Sequence, residues 1–143
     1  MRMKIALAAF LAASSAHAGP HHSALPLNPA VRQETIETTI CVHGYSKTVR
    51  PPQAYTDNIK KLKLREAGLP LDAAEDYELD HRIPISAGGA PSDPANLVLQ
   101  PWSEATEKDR VEANMHHHIC HGDISLEEAQ SLLWNWKPHN GGQ

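Results

Sequence analysis

Tyr77-Glu78-Leu79-Asp80-His81-Arg82-Ile83-Pro84-Ile85-Ser86-Ala87-Gly88-Gly89, continued by Asn96-Leu97 and then Lys108, is the stretch that decides the fold. Tyr77, Leu79, Ile83 and Ile85 suit a short strand. Pro84 has no N–H to give a central ladder, and Gly88-Gly89 followed by Pro91 and Pro94 forces a loop in which both glycines can take positive φ. Polar groups are thereby held beside a turn. Asp80 offers a hard oxygen ligand, and His81 is the side chain that can take and give a proton near neutral pH. A purely structural reading is open for the same residues: the carboxylate caps a turn, the imidazole is hydrogen-bonded within the hairpin, and Asn96 holds its own backbone.

The succession Asp80-His81, Pro84, Gly88-Gly89, Asn96-Leu97 and Lys108 resembles the motif of the HNH nucleases. Upstream, Ile40-Cys41-Val42, Gly44 and Lys47-Thr48-Val49-Arg50-Pro51-Pro52, followed by Tyr55-Thr56 and a basic helix, are similar to the N-terminal portion of small exported bacterial proteins of unassigned role that carry an HNH-like centre. With that run the resemblance spans residues 36–136.

The resemblance implies an α+β fold on an HNH-type ββα-metal centre, a short β-hairpin plus a helix gripping one divalent ion, flanked by additional helices. It implies Asp80 as metal ligand, His81 as the general base that activates water, Asn96 as the residue whose amide and backbone fix the imidazole, and Lys108 on the helix near the phosphate. At the usual position of a second ligand this chain has Ala105. Glu104 and Glu107 are the nearest carboxylates, and His116-His117-His118 would come into range if the helix bends. Asp and Asn oxygens suit magnesium, manganese or calcium, the first two being expected; a histidine ligand widens the choice to zinc or nickel.

The implied activity is metal-dependent hydrolysis of phosphodiester bonds in DNA or RNA, with weak selectivity and a monomeric protein. The opposing reading is a catalytically silent scaffold that binds metal, nucleic acid or a partner protein in the cell envelope. A third is a histidine-rich metal scavenger built on residues 116–121.

Residues 1–18 carry Arg2 and Lys4, an apolar run from Ile5 and a small-x-small end at Ala16-His17-Ala18, the pattern of a secretory signal. Periplasmic or secreted location follows, with no stretch long enough to span a membrane. Cleavage removes two of the 13 basic side chains, leaving 11 against 17 acidic, a formal charge of -6. That balance excludes a general nucleic-acid coat, which rests on a basic surface. It is compatible with a weakly binding hydrolase.

Cys41 and Cys120 suit one disulfide in an exported protein, while His43, His118 and His121 nearby allow a cysteine–histidine metal site instead. Residues 19–35, with Gly19, Pro20, Pro26 and Pro29, read as a mobile tail, and residues 36–50 as an extended arm with one turn. A helix over 55–67 has Thr56 as its cap, an apolar stripe through Ile59 and Leu62, and the basic group Lys60, Lys61, Lys63 and Arg65. That group is either a solvated face or a set of phosphate contacts. A second helix covers 101–119, where Ala105, Lys108, Glu112 and His116 share a face. Ser125 to Glu128 forms a capping box for a third, with Leu126, Ala129, Leu132, Leu133 and Trp136 as its stripe. One domain over 36–137 and a frayed end over 138–143 complete the expectation.

Overall fold

Strand character around Tyr77 and the break at Pro84 produce a strand that stops early. The computed structural model describes residues 24–139, so the signal segment, His21-His22 and residues 140–143 lie outside the described residues. β1, Tyr77–His81, pairs antiparallel with β2, Leu97–Pro101, in the register Tyr77↔Pro101, Asp80↔Val98 and His81↔Leu97. Ile83 and Ile85 are not strand residues. They sit buried in the loop that joins the strands, because Pro84 ends the ladder and a 3-10 turn over Ile85–Ala87 closes at Gly88 (φ 79°).

Among the described residues four helices flank this hairpin: α1, Tyr45–Val49; α2, Gln53–Glu66; α3, Trp102–His121; and α4, Leu126–Trp134. The molecule is therefore α+β, a two-stranded antiparallel hairpin among helices. α2 starts two residues before the expected boundary, after Pro51-Pro52, and Thr56 does not cap it; its hydroxyl donates to the Gln53 carbonyl. Leu64, one of the residues that suit its stripe beside Ile59, Leu62 and Ala67, is fully buried, while Leu62 is exposed. α3 runs on to His121 and ends at Gly122 (φ 77°). At α4, Ser125 Oγ accepts the Glu128 N–H (3.2 Å), so the Ser125 half of the expected capping box is present.

The core lies between α3, α4 and the joining loop: Ile83, Ala87, Ile119, Leu126, Ala129 and Leu133 pack with Val31, Ile36 and Ile40. Val31 belongs to the segment expected to be a mobile tail, and residues 24–35 are instead docked. Leu27 bridges Gly89, the Asn28 N–H donates to the Gly88 carbonyl (2.8 Å), and the Ala90 N–H donates to the Pro26 carbonyl (2.9 Å). A loop crossing the core carries backbone groups that must be paired, and this strap pairs them.

The arm over 36–50 is likewise not extended. Gln33–Thr38 forms a 3-10 turn, and Gly44 (φ 84°) turns the chain into α1. Thr38 and Thr39 donate their hydroxyls to the Thr35 carbonyl, an alternative to a strand ladder that β-branched residues with hydroxyls allow.

Cys41 and Cys120 form a disulfide, Cα–Cα 5.6 Å, which removes both thiols from any cysteine–histidine metal site. It ties the N-terminal segment to α3 across 79 residues. In the chain-entropy view its reduction is expected to lower the unfolding free energy by on the order of 4 kcal/mol. Urea denaturation with and without reductant measures this, and an unchanged midpoint would mean that the link does not constrain the chain. Among the described residues no helix is long and apolar enough to cross a membrane.

Candidate functional site

His81 is the last residue of β1 and is 7 % exposed. Its backbone N–H donates to Asp80 Oδ1 (2.8 Å), and its ring Nε2 lies 2.8 Å from the Pro91 carbonyl. A carbonyl can only accept, so Nε2 carries the proton and Nδ1 keeps the lone pair. Nδ1 has no protein hydrogen-bond partner among the described residues. Burial holds the imidazole pKa below its ordinary value, outweighing the opposite pulls of the Pro91 carbonyl and Asp80. The ring is therefore neutral at neutral pH with one basic nitrogen free.

Asn96 ends the joining loop and is fully buried. Its Oδ1 accepts the Ile83 N–H (2.9 Å), while its Nδ2 donates to the carbonyls of Ile83 (2.9 Å) and Ala90 (3.0 Å). The amide does not touch the imidazole. It fixes Ala90, the neighbour of the carbonyl that orients His81, and so positions the ring at one remove. Gly89 serves the same closure through size: a Cβ there would lie 1.8 Å from the Ile83 carbonyl oxygen, and its φ is not positive. Only Gly88 of the pair uses the left-handed region.

Lys108 is brought to this site by α3 but is 3 % exposed, not open to a phosphate. Its Nζ donates to Asp80 Oδ2, to Glu112 Oε1 and, at 2.8 Å, to the His81 carbonyl. Burial alone would depress the ammonium pKa; Asp80 and Glu112 more than offset that and hold it raised. One ammonium can neutralise one carboxylate, and a second negative charge in a desolvated place is costly. The Glu112 carboxyl is accordingly pushed up to about 7, by burial first and by Asp80, against the pull of Lys108.

The other two carboxylates expected as ligands lie elsewhere. Glu104 accepts from Gln100 Nε2, and Glu107 binds the backbone N–H (3.2 Å) and ring of His139. In their place stands Glu112, which the shared helix face with Lys108 identified and the ligand assignment overlooked. Ala105 is buried beside them without a ligating atom. The histidine cluster does not converge either. His116 Nε2 meets the Ile40 carbonyl (2.8 Å), His118 Nδ1 meets Asp123 (2.9 Å), and the rings of His117 and His121 stack with centroids 3.9 Å apart.

The residues present do not fit a divalent ion as they stand. Among the described residues no group of three or more His, Cys, Asp or Glu side chains is arranged to hold a metal, and Asp80 and Glu112 are already bridged by Lys108.

His81 also lines an open groove of about 360 Å³, walled by Arg50, Thr56, Asp57 and Lys60 from α2 and its approach, by Glu78, Leu79 and Leu97 from the hairpin, and by Trp102, so that two cations and two carboxylates face it. Trp102 is 54 % exposed, with its Nε1–H donated to the Glu75 carbonyl (2.8 Å). Of the basic group on α2, Lys60 reaches this groove. Arg50, outside that group, was not among the expected site residues.

The chain matches no model of a known protein family, no curated protein and no solved structure.

Proposed function

We propose that the protein is a phosphodiester hydrolase of the HNH type acting on nucleic acid, with His81 as general base. The observation that carries this reading is the imidazole oriented by Pro91 through Nε2, its Nδ1 without a protein partner among the described residues, on a residue that lines a groove with Arg50 and Lys60. A strand lying in that groove sets its phosphate against Arg50 and Lys60, with Asp57 and Glu78 in the same wall limiting how tightly a polyanion is held. Water at His81 then gives a proton to Nδ1 as its oxygen bonds to phosphorus. The P–O bond to the leaving sugar oxygen breaks, that oxygen takes a proton from solvent, and Arg50 and Lys60 offset the charge gathering on the nonbridging oxygens. Trp102 presents a ring against which an unpaired base can stack. Asp80 anchors the His81 backbone, and Asn96 holds the loop that orients the ring.

The resemblance implies magnesium or manganese, but the carboxylates present are engaged with Lys108, and no step above uses a metal. That same ion pair favours a second reading, a catalytically silent scaffold that binds nucleic acid in the groove. The disulfide supports an oxidising compartment, the periplasm or the exterior, for either.

The test is cleavage of plasmid DNA and single-stranded RNA by the oxidised protein and by His81→Ala, with divalent ions and with chelator. Cutting that the substitution abolishes is expected. Folded wild-type protein that binds but never cuts would leave the scaffold. Binding has its own signature: Arg50→Ala combined with Lys60→Ala is expected to flatten the slope of log Kd against log salt by about 1.4 for a single strand, from two lost phosphate contacts. Fluorescence anisotropy measures it, and an unchanged slope would place the strand elsewhere.

A further inference from the structure

Lys108 is an unusual occupant for its surroundings. A buried lysine ordinarily lies with its stem in apolar packing and its head reaching for water. Here the head is inside, and its three N–H bonds go to three oxygens: Asp80 Oδ2 at the end of β1, Glu112 Oε1 one turn further along α3, and the His81 carbonyl. Three oxygens from two elements, two of them carboxylates, make a donor set that suits a hard divalent cation completed by water. The open side of the set meets a second, smaller groove lined by Arg50, Glu78, Asp109 and Ser86, which would admit an ion and its water.

We propose that Asp80, Glu112 and the His81 carbonyl form a cation site that the protein fills with its own Lys108 ammonium, so that the native chain takes no divalent ion there and Lys108 replaces the metal structurally. The ammonium does for the fold what an ion would do: it pins the end of β1 to α3 directly behind the imidazole.

Binding is read directly, so the outcome does not depend on whether the protein cuts nucleic acid. The first measurement uses oxidised wild-type protein with 15N-labelled lysine. A buried, hydrogen-bonded ammonium exchanges its protons slowly and gives a resolved signal at neutral pH, assigned by its loss in Lys108→Met. Millimolar magnesium or calcium is expected to leave that signal in place and to give no calorimetric binding that Asp80→Asn removes. These ions are chosen because they prefer oxygen to the exposed histidines. Disappearance of the signal on adding magnesium, or a wild-type site lost in Asp80→Asn, would overturn the proposal.

The second measurement is on Lys108→Ala, which opens the oxygen set and removes a positive charge. It is expected to bind calcium or magnesium roughly tenfold or more tightly than wild type, given the gain in net ligand charge, and to lose that gain when Asp80→Asn is added. A folded Lys108→Ala that binds no better than wild type would equally overturn it. Should the variant fold only with calcium or magnesium present, that rescue supports the proposal; should it not fold at all, the wild-type ammonium signal decides.

Discussion

Asn96→Ala is expected to lower the unfolding free energy by about 5 kcal/mol, a large share of what a domain of this size has. The side chain is fully buried and makes three hydrogen bonds, all to backbone: to the N–H and carbonyl of Ile83 and to the carbonyl of Ala90. Alanine would orphan two buried polar groups of Ile83 and a partly buried carbonyl of Ala90, the buried ones each costing about 1–3 kcal/mol. Water does not readily take over, because Gly89 packs so closely on Ile83 that even a methyl group would overlap its carbonyl. The loss would also release Ala90, and with it the Pro91 carbonyl that orients His81. Urea denaturation checks the energy, as a lower midpoint at unchanged slope. A change below about 1 kcal/mol would mean that the loop is closed by the strap over Pro26 to Asn28 and not by Asn96.

In the sequence Asn96 reads as fixing the imidazole or its own backbone, whereas its amide holds Ile83 and Ala90, across the joining loop. Local patterning can report that Ser125 caps a helix and that Lys108 shares a face with Glu112, since these are matters of period and spacing along one element, but it runs the strand on to Ile85 where the ladder ends at His81. It cannot report where elements dock. Residues 24–35 have the composition of a tail, and the same prolines and polar residues serve a strap that pairs another loop's backbone; only the presence of that loop separates the two.

Glu104 and Glu107, expected as ligands, do not meet Asp80 for a related reason. Glu104, Lys108 and Glu112 follow one another at helical spacing on one side of α3, so periodicity treats them alike. They lie about 6 Å apart along the axis, however. The hairpin crosses α3 with Asp80 at the level of Lys108 and Glu112, while β2 runs past Glu104 and supplies Gln100 to it. Glu107 is turned away towards His139. The disulfide was legible because it needs only two cysteines and an oxidising compartment; choosing among carboxylates needs the crossing point.

His81→Ala is expected to reduce phosphodiester cleavage by roughly 10²–10⁴-fold, the range a positioned general base supplies. The pH profile separates a base from a residue that merely supports the fold. Burial lowers the imidazole pKa, so kcat/KM should be level above the ordinary histidine value of 6.5 and fall only as pH drops below it. Stability moves the same way for this group. A depressed folded-state pKa contributes stability that is present above 6.5 and lost as pH falls through the folded value. Glu112 acts in the opposite sense. Its carboxyl is raised from 4.5 to about 7, so its contribution is complete below 4.5 and is lost as pH rises through about 7.

Buried His81 and half-buried Glu112 thus oppose each other in stability, and a His81 base would place the acid limb of the rate below 6.5. Rate profiles of wild type and Glu112→Gln between about pH 5 and 8 distinguish them. If His81 is the base, the acid limb stays below 6.5 in both proteins and only stability above neutrality shifts. A limb near 7 in wild type that vanishes in Glu112→Gln would assign the rate-controlling proton to Glu112 and remove His81 from the chemistry.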